Sequence, residues 1–157
     1  MTDLHYIPFA QVDPLTLLPV LNESPIREHL VQHALFDADS VRGWAAGKAQ
    51  ADQQPGCRTR VILQAGHVVG WCGIQREGKD HELAIVLAQA SWGCGPAVFR
   101  QLIAWAREFG HQEVVLHLLD SRREYRFLTR LATHTGRTRL LGRDFTTYRI
   151  AVGRLGY

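Results

Sequence analysis

Apolar positions outline the fold. Thr59–Gln64 (TRVILQ) is β-branched and apolar, and the character returns in Val68–Arg76 (VVGWCGIQR) and His81–Ala88 (HELAIVLA). The short turns AGH and EGKD separate these runs, so they predict three strands of an antiparallel meander. From Ala97 to Phe109 (AVFRQLIAWAREF) the period changes to that of a helix. Val98, Leu102, Ala106 and Phe109 recur on one face, Phe99 and Ile103 widen the stripe, and Gly110 supplies a stop. Glu113–Leu119 (EVVLHLL) reads as a strand. Ser121–His134 (SRREYRFLTRLATH) reads as a helix with Phe127, Leu128 and Leu131 on one side. TRLL and FTTYRIAV predict a closing hairpin around GRD.

The N-terminal third is less regular. Leu4–Phe9 is a short strand candidate. Asp13 before Pro14, and Ser24 before Pro25, each pair a capping side chain with proline at the first helical position. A third helix starts at Asp39 or Ser40 and is ended by Pro55 and Gly56. No repeat or long linker interrupts the chain. The order is strand, helices, three strands, helix, strand, helix, two strands. It predicts a single α/β domain over residues 1–157, with a mixed, mostly antiparallel central sheet flanked by helices.

Composition narrows the function. Of 157 residues, 46% are hydrophobic and 21% charged, and the net charge is +3. Arginine carries nearly all the positive charge. That balance suits an anionic ligand, but no basic run is long and acidic residues are scattered through the same helices, which ranks nucleic-acid binding last. No apolar run reaches membrane-spanning length and no signal segment opens the chain, so a soluble cytoplasmic protein is expected. Cys57, Cys72 and Cys94 match no disulfide framework or zinc motif and read as reduced thiols. His29 and His33 lie one helical turn apart without a third ligand or the glutamate of a zinc-protease motif, so no metal is expected. Trp44, Trp71 and Trp105 read as packing residues.

The chemistry concentrates in Ser91–Phe99 (SWGCGPAVF), between a strand and a helix. The first turn of a helix has four N–H groups without internal partners, and together with the helix dipole they attract anions. Glycine lets a large anion approach the backbone. The P-loop pattern is missing, and the preceding meander does not fit a dinucleotide-binding half. The frame Trp92, Gly93, Cys94, Gly95, Pro96, Ala97, with the element order from Thr59 to Ala132, resembles the GNAT acetyltransferase superfamily. The resemblance implies acetyl-CoA as co-substrate. Its pyrophosphate would rest on the loop from Trp92 to Val98, held by the N–H groups of Gly93, Cys94, Gly95, Ala97 and Val98. Its pantetheine arm would lie along Ile85, Val86 and Leu87 and near Ser121. Three departures stand out. Trp92 replaces the usual glutamine or arginine, Pro96 has no N–H to give, and Leu128 stands where the family often has a tyrosine acid.

Transfer to an amine needs a proton acceptor, because an alkylammonium has a pKa of roughly 10.4. Glu82, beside apolar Leu83 and Ala84, is the candidate base, since partial burial would raise its pKa. The alternative is an ordinary solvated carboxylate. His81 faces the other way on a regular strand. An oxyanion donor is expected from a strand N–H near Leu87. Tyr125, and after it Tyr148, are the candidate acids. The resulting expectation is an N-acetyltransferase acting on a primary amine of a small molecule or a protein. The rival is a non-catalytic acyl-CoA sensor or scaffold of the same fold. Family resemblance also makes a homodimer through the C-terminal strands a candidate assembly.

Overall fold

The computed structural model describes residues 3–23, 35–119, 126–140 and 143–154. Strand β1 (Leu4–Ile7) leads into two short 3-10 turns (Phe9–Gln11 and Pro14–Leu17) and helix α1 (Leu18–Leu21). Asp13 caps the second turn, its side chain accepting from the Leu15 N–H at 3.0 Å. Helix α2 (Ala38–Ala51) starts earlier than the sequence pattern suggests. Asp37, not Asp39 or Ser40, is its cap: the Asp37 carboxylate accepts from the Ser40 N–H at 2.8 Å and the Asp37 N–H donates to Ser40 Oγ at 2.9 Å. This reciprocal capping box satisfies two otherwise orphan donors.

The meander follows as β2 (Arg58–Gln64), β3 (His67–Glu77) and β4 (Asp80–Leu87). A 3-10 turn (Gln89–Cys94) then runs directly into helix α3 (Gly95–Glu108), followed by β5 (Glu113–Leu119), α4 (Arg126–Leu131), β6 (Ala132–Leu140), β7 (Arg143–Ala151) and a last 3-10 turn (Val152–Arg154). The final helix therefore stops at Leu131 rather than His134. Thr133 and Thr135 lie in β6, and β-branched residues suit a strand better than a helix end. The expected start of that helix at Ser121 lies outside the described residues, as do the second predicted cap at Ser24 and the histidines His29 and His33.

The seven strands form one sheet in the order β1-β2-β3-β4-β5-β7-β6. Every pairing is antiparallel except β4 with β5, which meet in parallel at one register pair, Glu82 with Val115. β3 and β4 approach closely at the far end of that strand. A side chain on Gly70 would strike the Val86 carbonyl oxygen, which explains the glycine.

Strand alternation sorts the apolar residues into two cores. One lies beneath α3 and joins Ile62, Ile74, Leu83 and Leu87 to Val98, Phe99, Leu102, Ile103, Leu116 and Ile150. The other lies under α2 and the N-terminal turns and joins Phe9, Leu17, Val41, Val61 and Trp71, with Ala84 and Val86 packed against it. Tryptophans do pack here, as the sequence suggests. Trp44 and Trp71 meet edge to face with ring centroids 5.5 Å apart, and Trp105 meets Tyr6 at 5.3 Å. No helix among the described residues is long and apolar enough to cross a membrane.

Candidate functional site

Two parts of the molecule hold the residues singled out in the sequence. The first is the end of β4 and the turn beyond it. Ile85, Val86 and Leu87 pair with Cys72, Trp71 and Gly70 of β3, yet none pairs with β5. The strand edge toward β5 thus parts from its neighbour after Glu82. The Leu87 carbonyl accepts from the Trp92 indole N–H at 2.9 Å, and the Gln89 N–H donates to the Glu23 carboxylate at 2.6 Å. These bonds pin both ends of the turn. Trp92 therefore has a structural task in this turn.

Gly93, Pro96 and Ala97 are exposed, while the side chains of Cys94 and Val98 turn inward to the core. A Cβ added at Gly93 or Gly95 would meet nothing within 4 Å, so the outer face of the loop is open. One expected donor is engaged: the Gly95 N–H bonds the Trp92 carbonyl as the 3-10 turn passes into α3. Pro96, in the first turn, carries no N–H. The loop has the room for a large anion with fewer donors than a run of glycines would supply.

The second part is a polar cluster where β4 and β5 meet. Glu82 projects to the α2 face of the sheet, and burial pushes its carboxyl from the ordinary 4.5 up to about 7, helped by the like charge and hydrogen bond of Glu77. His117 and Lys48 pull it the other way. His117 of β5 is nearly buried. Its Nε2 lies 2.8 Å from Glu77 Oε1 and 3.7 Å from Glu82 Oε2, and its Nδ1 lies 2.8 Å from Thr147 Oγ1 on β7. Lys48 of α2 completes the group, with its Nζ donating to Gln75 Oε1 at 2.7 Å. Burial depresses the Lys48 pKa, and the Glu82 charge opposes that fall. Gln75, Glu77 and Glu82 line an open cleft of about 490 Å³ together with Ala51, Gln54 and Cys57.

The arrangement can take up and release a proton near neutral pH at Glu82. The donor atoms of Glu77, Glu82 and His117 lie within 4.8 Å of one another, near enough also to hold a cation. His81 points to the opposite side of the strand, as its position predicts. There it packs against the His111 ring at 4.0 Å, and its pKa is lowered chiefly by burial. Leu128 is buried in the core under α3, and Tyr148 is buried on β7 within the same core, away from the Glu82 face. Ser121 and Tyr125 lie outside the described residues. Sequence reasoning missed Glu77, His117 and Lys48. The one signal for His117 was a lone histidine inside the apolar run EVVLHLL.

No protein-family model matches the sequence, and no curated protein matches it. The fold does have solved counterparts. An acetyltransferase of the GNAT family from Bacillus anthracis superposes with a TM-score of 0.74 at 13% identity, covering 98% of each chain. A Salmonella typhimurium protein, yncA, described as an acetyltransferase with its cofactor acetyl-CoA, gives 0.69 at 17% identity, covering 99% of this chain and 96% of its own. RimL, a ribosomal L7/L12 α-N-protein acetyltransferase in complex with coenzyme A, gives 0.72 at 15% identity, covering 96% and 95%.

Proposed function

Starting from a chain that has the GNAT acetyltransferase fold, we propose that it belongs to that superfamily. We read it as an acetyl-CoA-dependent N-acetyltransferase whose acceptor is a primary amine. The observation that carries the reading is the position of Glu82. It holds a carboxyl of pKa about 7 at the one pair joining β4 to β5, where the strands begin to part and the open glycine turn lies beyond. Two of the structural neighbours are described with acetyl-CoA or coenzyme A.

In this reading the backbone of Ile85, Val86 and Leu87 holds the pantetheine arm, as a strand edge accepts a further strand. The turn from Trp92 to Val98 holds the pyrophosphate. Bound there, acetyl-CoA supplies an activated acetyl group. Glu82 accepts the proton that the ammonium must lose, and Glu77 keeps Glu82 basic enough to take it at neutral pH. His117, oriented by Thr147, shares the charge of both carboxylates. No acid for the departing thiolate is needed at great cost, because a thiol of pKa near 8.5 leaves readily. A cytoplasmic setting accords with three buried free cysteines. Pairing of β6, an outer strand of the sheet, with its copy would give the homodimer.

The test is a thermal melt with acetyl-CoA against adenosine diphosphate, then thiol release over an amine panel. At about 100 times Kd a ligand adds about 2.7 kcal/mol, which raises the melting temperature by roughly 5–10 °C for a domain this size. A larger rise with acetyl-CoA, followed by transfer that Glu82→Gln abolishes, supports the enzyme. No rise rejects the reading. A rise without transfer to any amine favours the sensor alternative, for which the buried Leu128 at the acid position speaks.

A further inference from the structure

A primary amine is bonded to one wall of the cleft. Lys48 comes from α2, the helix lying over the Glu82 face of the sheet. Its Nζ sits 2.7 Å from Gln75 Oε1, 4.5 Å from the centre of the Trp71 ring and 5.5 Å from that of Trp44. Register locates that nitrogen along β4. Gln75 is the cross-strand partner of Glu82, and Trp71 is the partner of Val86. These four side chains share one face of the sheet. The amine therefore lies over β3, level with the stretch of β4 between the candidate base and the segment read above as holding acetyl-CoA.

From this juxtaposition we propose that Lys48 is an internal acceptor and that the protein acetylates itself there. The inference rests on the acetyltransferase reading. The step balances without a further reactant. Glu82 takes a proton from the Lys48 ammonium, the neutral Nζ attacks the thioester carbonyl, the N–C bond forms and the C–S bond breaks. The nitrogen then gives up its second proton to the departing coenzyme A thiolate, so that Lys48 becomes a neutral amide and coenzyme A leaves as the thiol. Burial disfavours the charged ammonium and so helps the first transfer, against the pull of the Glu82 charge and of the two indole faces, which attract a cation.

The chain provides its own control. It has two lysines, and the other, Lys79, is exposed in the β3–β4 turn. Purified full-length protein is incubated with acetyl-CoA, and both lysine peptides are followed by mass spectrometry, with a thermal melt on the same sample. Lys48 should gain one acetyl group at a rate independent of protein concentration. Lys79 should lag roughly 100-fold or more, and Glu82→Gln should slow Lys48 by a similar factor. Lys48→Arg should lose the mark yet still be stabilised by acetyl-CoA. Equal labelling of the two lysines, or labelling of Lys48 that ignores Glu82→Gln, overturns the proposal as mere chemical acylation. An unmodified Lys48 in a protein that acetyl-CoA stabilises and that acetylates other amines overturns it alone. No stabilisation and no transfer removes the acetyltransferase reading with it.

Discussion

The two faces of the sheet are built by opposite rules. Under α3, Leu102, Ile103, Val98, Ile74 and Leu83 are at most 1% exposed, and apolar contact is the main principle. Under α2 the apolar core of Phe9, Val41 and Trp71 gives way along the strands to Lys48, Gln75, Glu82, Glu77 and His117. A closed apolar face gives stability at low information content, because many hydrophobic side chains of the right size would serve. A face that grades from indole to carboxylate holds charges where water is scarce, which costs stability and shifts pKa values. The proposed chemistry lies on the α2 face.

Breaking the contrast should affect activity on one face and stability on the other. The largest effect is expected for Glu82→Gln, which should lower kcat/KM for amine acetylation by about 100- to 10,000-fold while leaving the acetyl-CoA melting shift in place. A loss under tenfold, read by thiol release, would make Glu82 a bystander. Next comes Leu102→Ala beneath α3, which should cost about 2–5 kcal/mol in denaturant unfolding. Its effect on activity, measured well below the melting point, should be small.

The pH profile separates the faces more finely. Activity should rise with pH through about 7, because Glu82 must be ionised to act as a base. Glu77→Gln removes a like charge and a hydrogen bond that raise the Glu82 pKa, so the acidic limb should move to lower pH. His117→Asn removes an influence that lowers it, so the limb should move up. Movement of both limbs in the same direction would refute this electrostatic account. Stability carries the same signature with a defined sign. A carboxyl whose pKa is raised on folding binds its proton more tightly in the native state, so stability should fall between about pH 4.5 and pH 7. Glu82→Gln should flatten that slope.

Smaller still, Asp37→Ala should cost about 1 kcal/mol through loss of the capping box on α2. The smallest effect is expected from chelation. EDTA should leave transfer unchanged, and a loss of rate would reassign Glu77, Glu82 and His117 as metal ligands.

How much of this was readable in the chain follows from distance along it. The meander strands and the amphipathic helix are local patterns, and each lies within one or two residues of its expected bounds. Glu82 was legible because its apolar neighbours sit beside it in HELAIVLA. Lys48, Glu77 and His117 were not, since α2, β3 and β5 bring them together and no spacing records that meeting. The last helix was overextended because Phe127, Leu128 and Leu131 gave a helical stripe, whereas the change to strand at Ala132 answers to pairing with β7. The cap at Asp37 was missed because its partner, Ser40, is itself a good cap.

The single pair joining β4 to β5 has a mechanical consequence. The sheet is in effect two plates, β1 to β4 and β5 with β7 and β6, meeting at one rivet, Glu82 with Val115. Helix α3 lies over the joint, its side chains packed with Ile74 and Leu83 of one plate and Leu116 and Ile150 of the other. Whatever fills the gap beyond the rivet would act as a wedge and a splint at once, next to the carboxyl of Glu82.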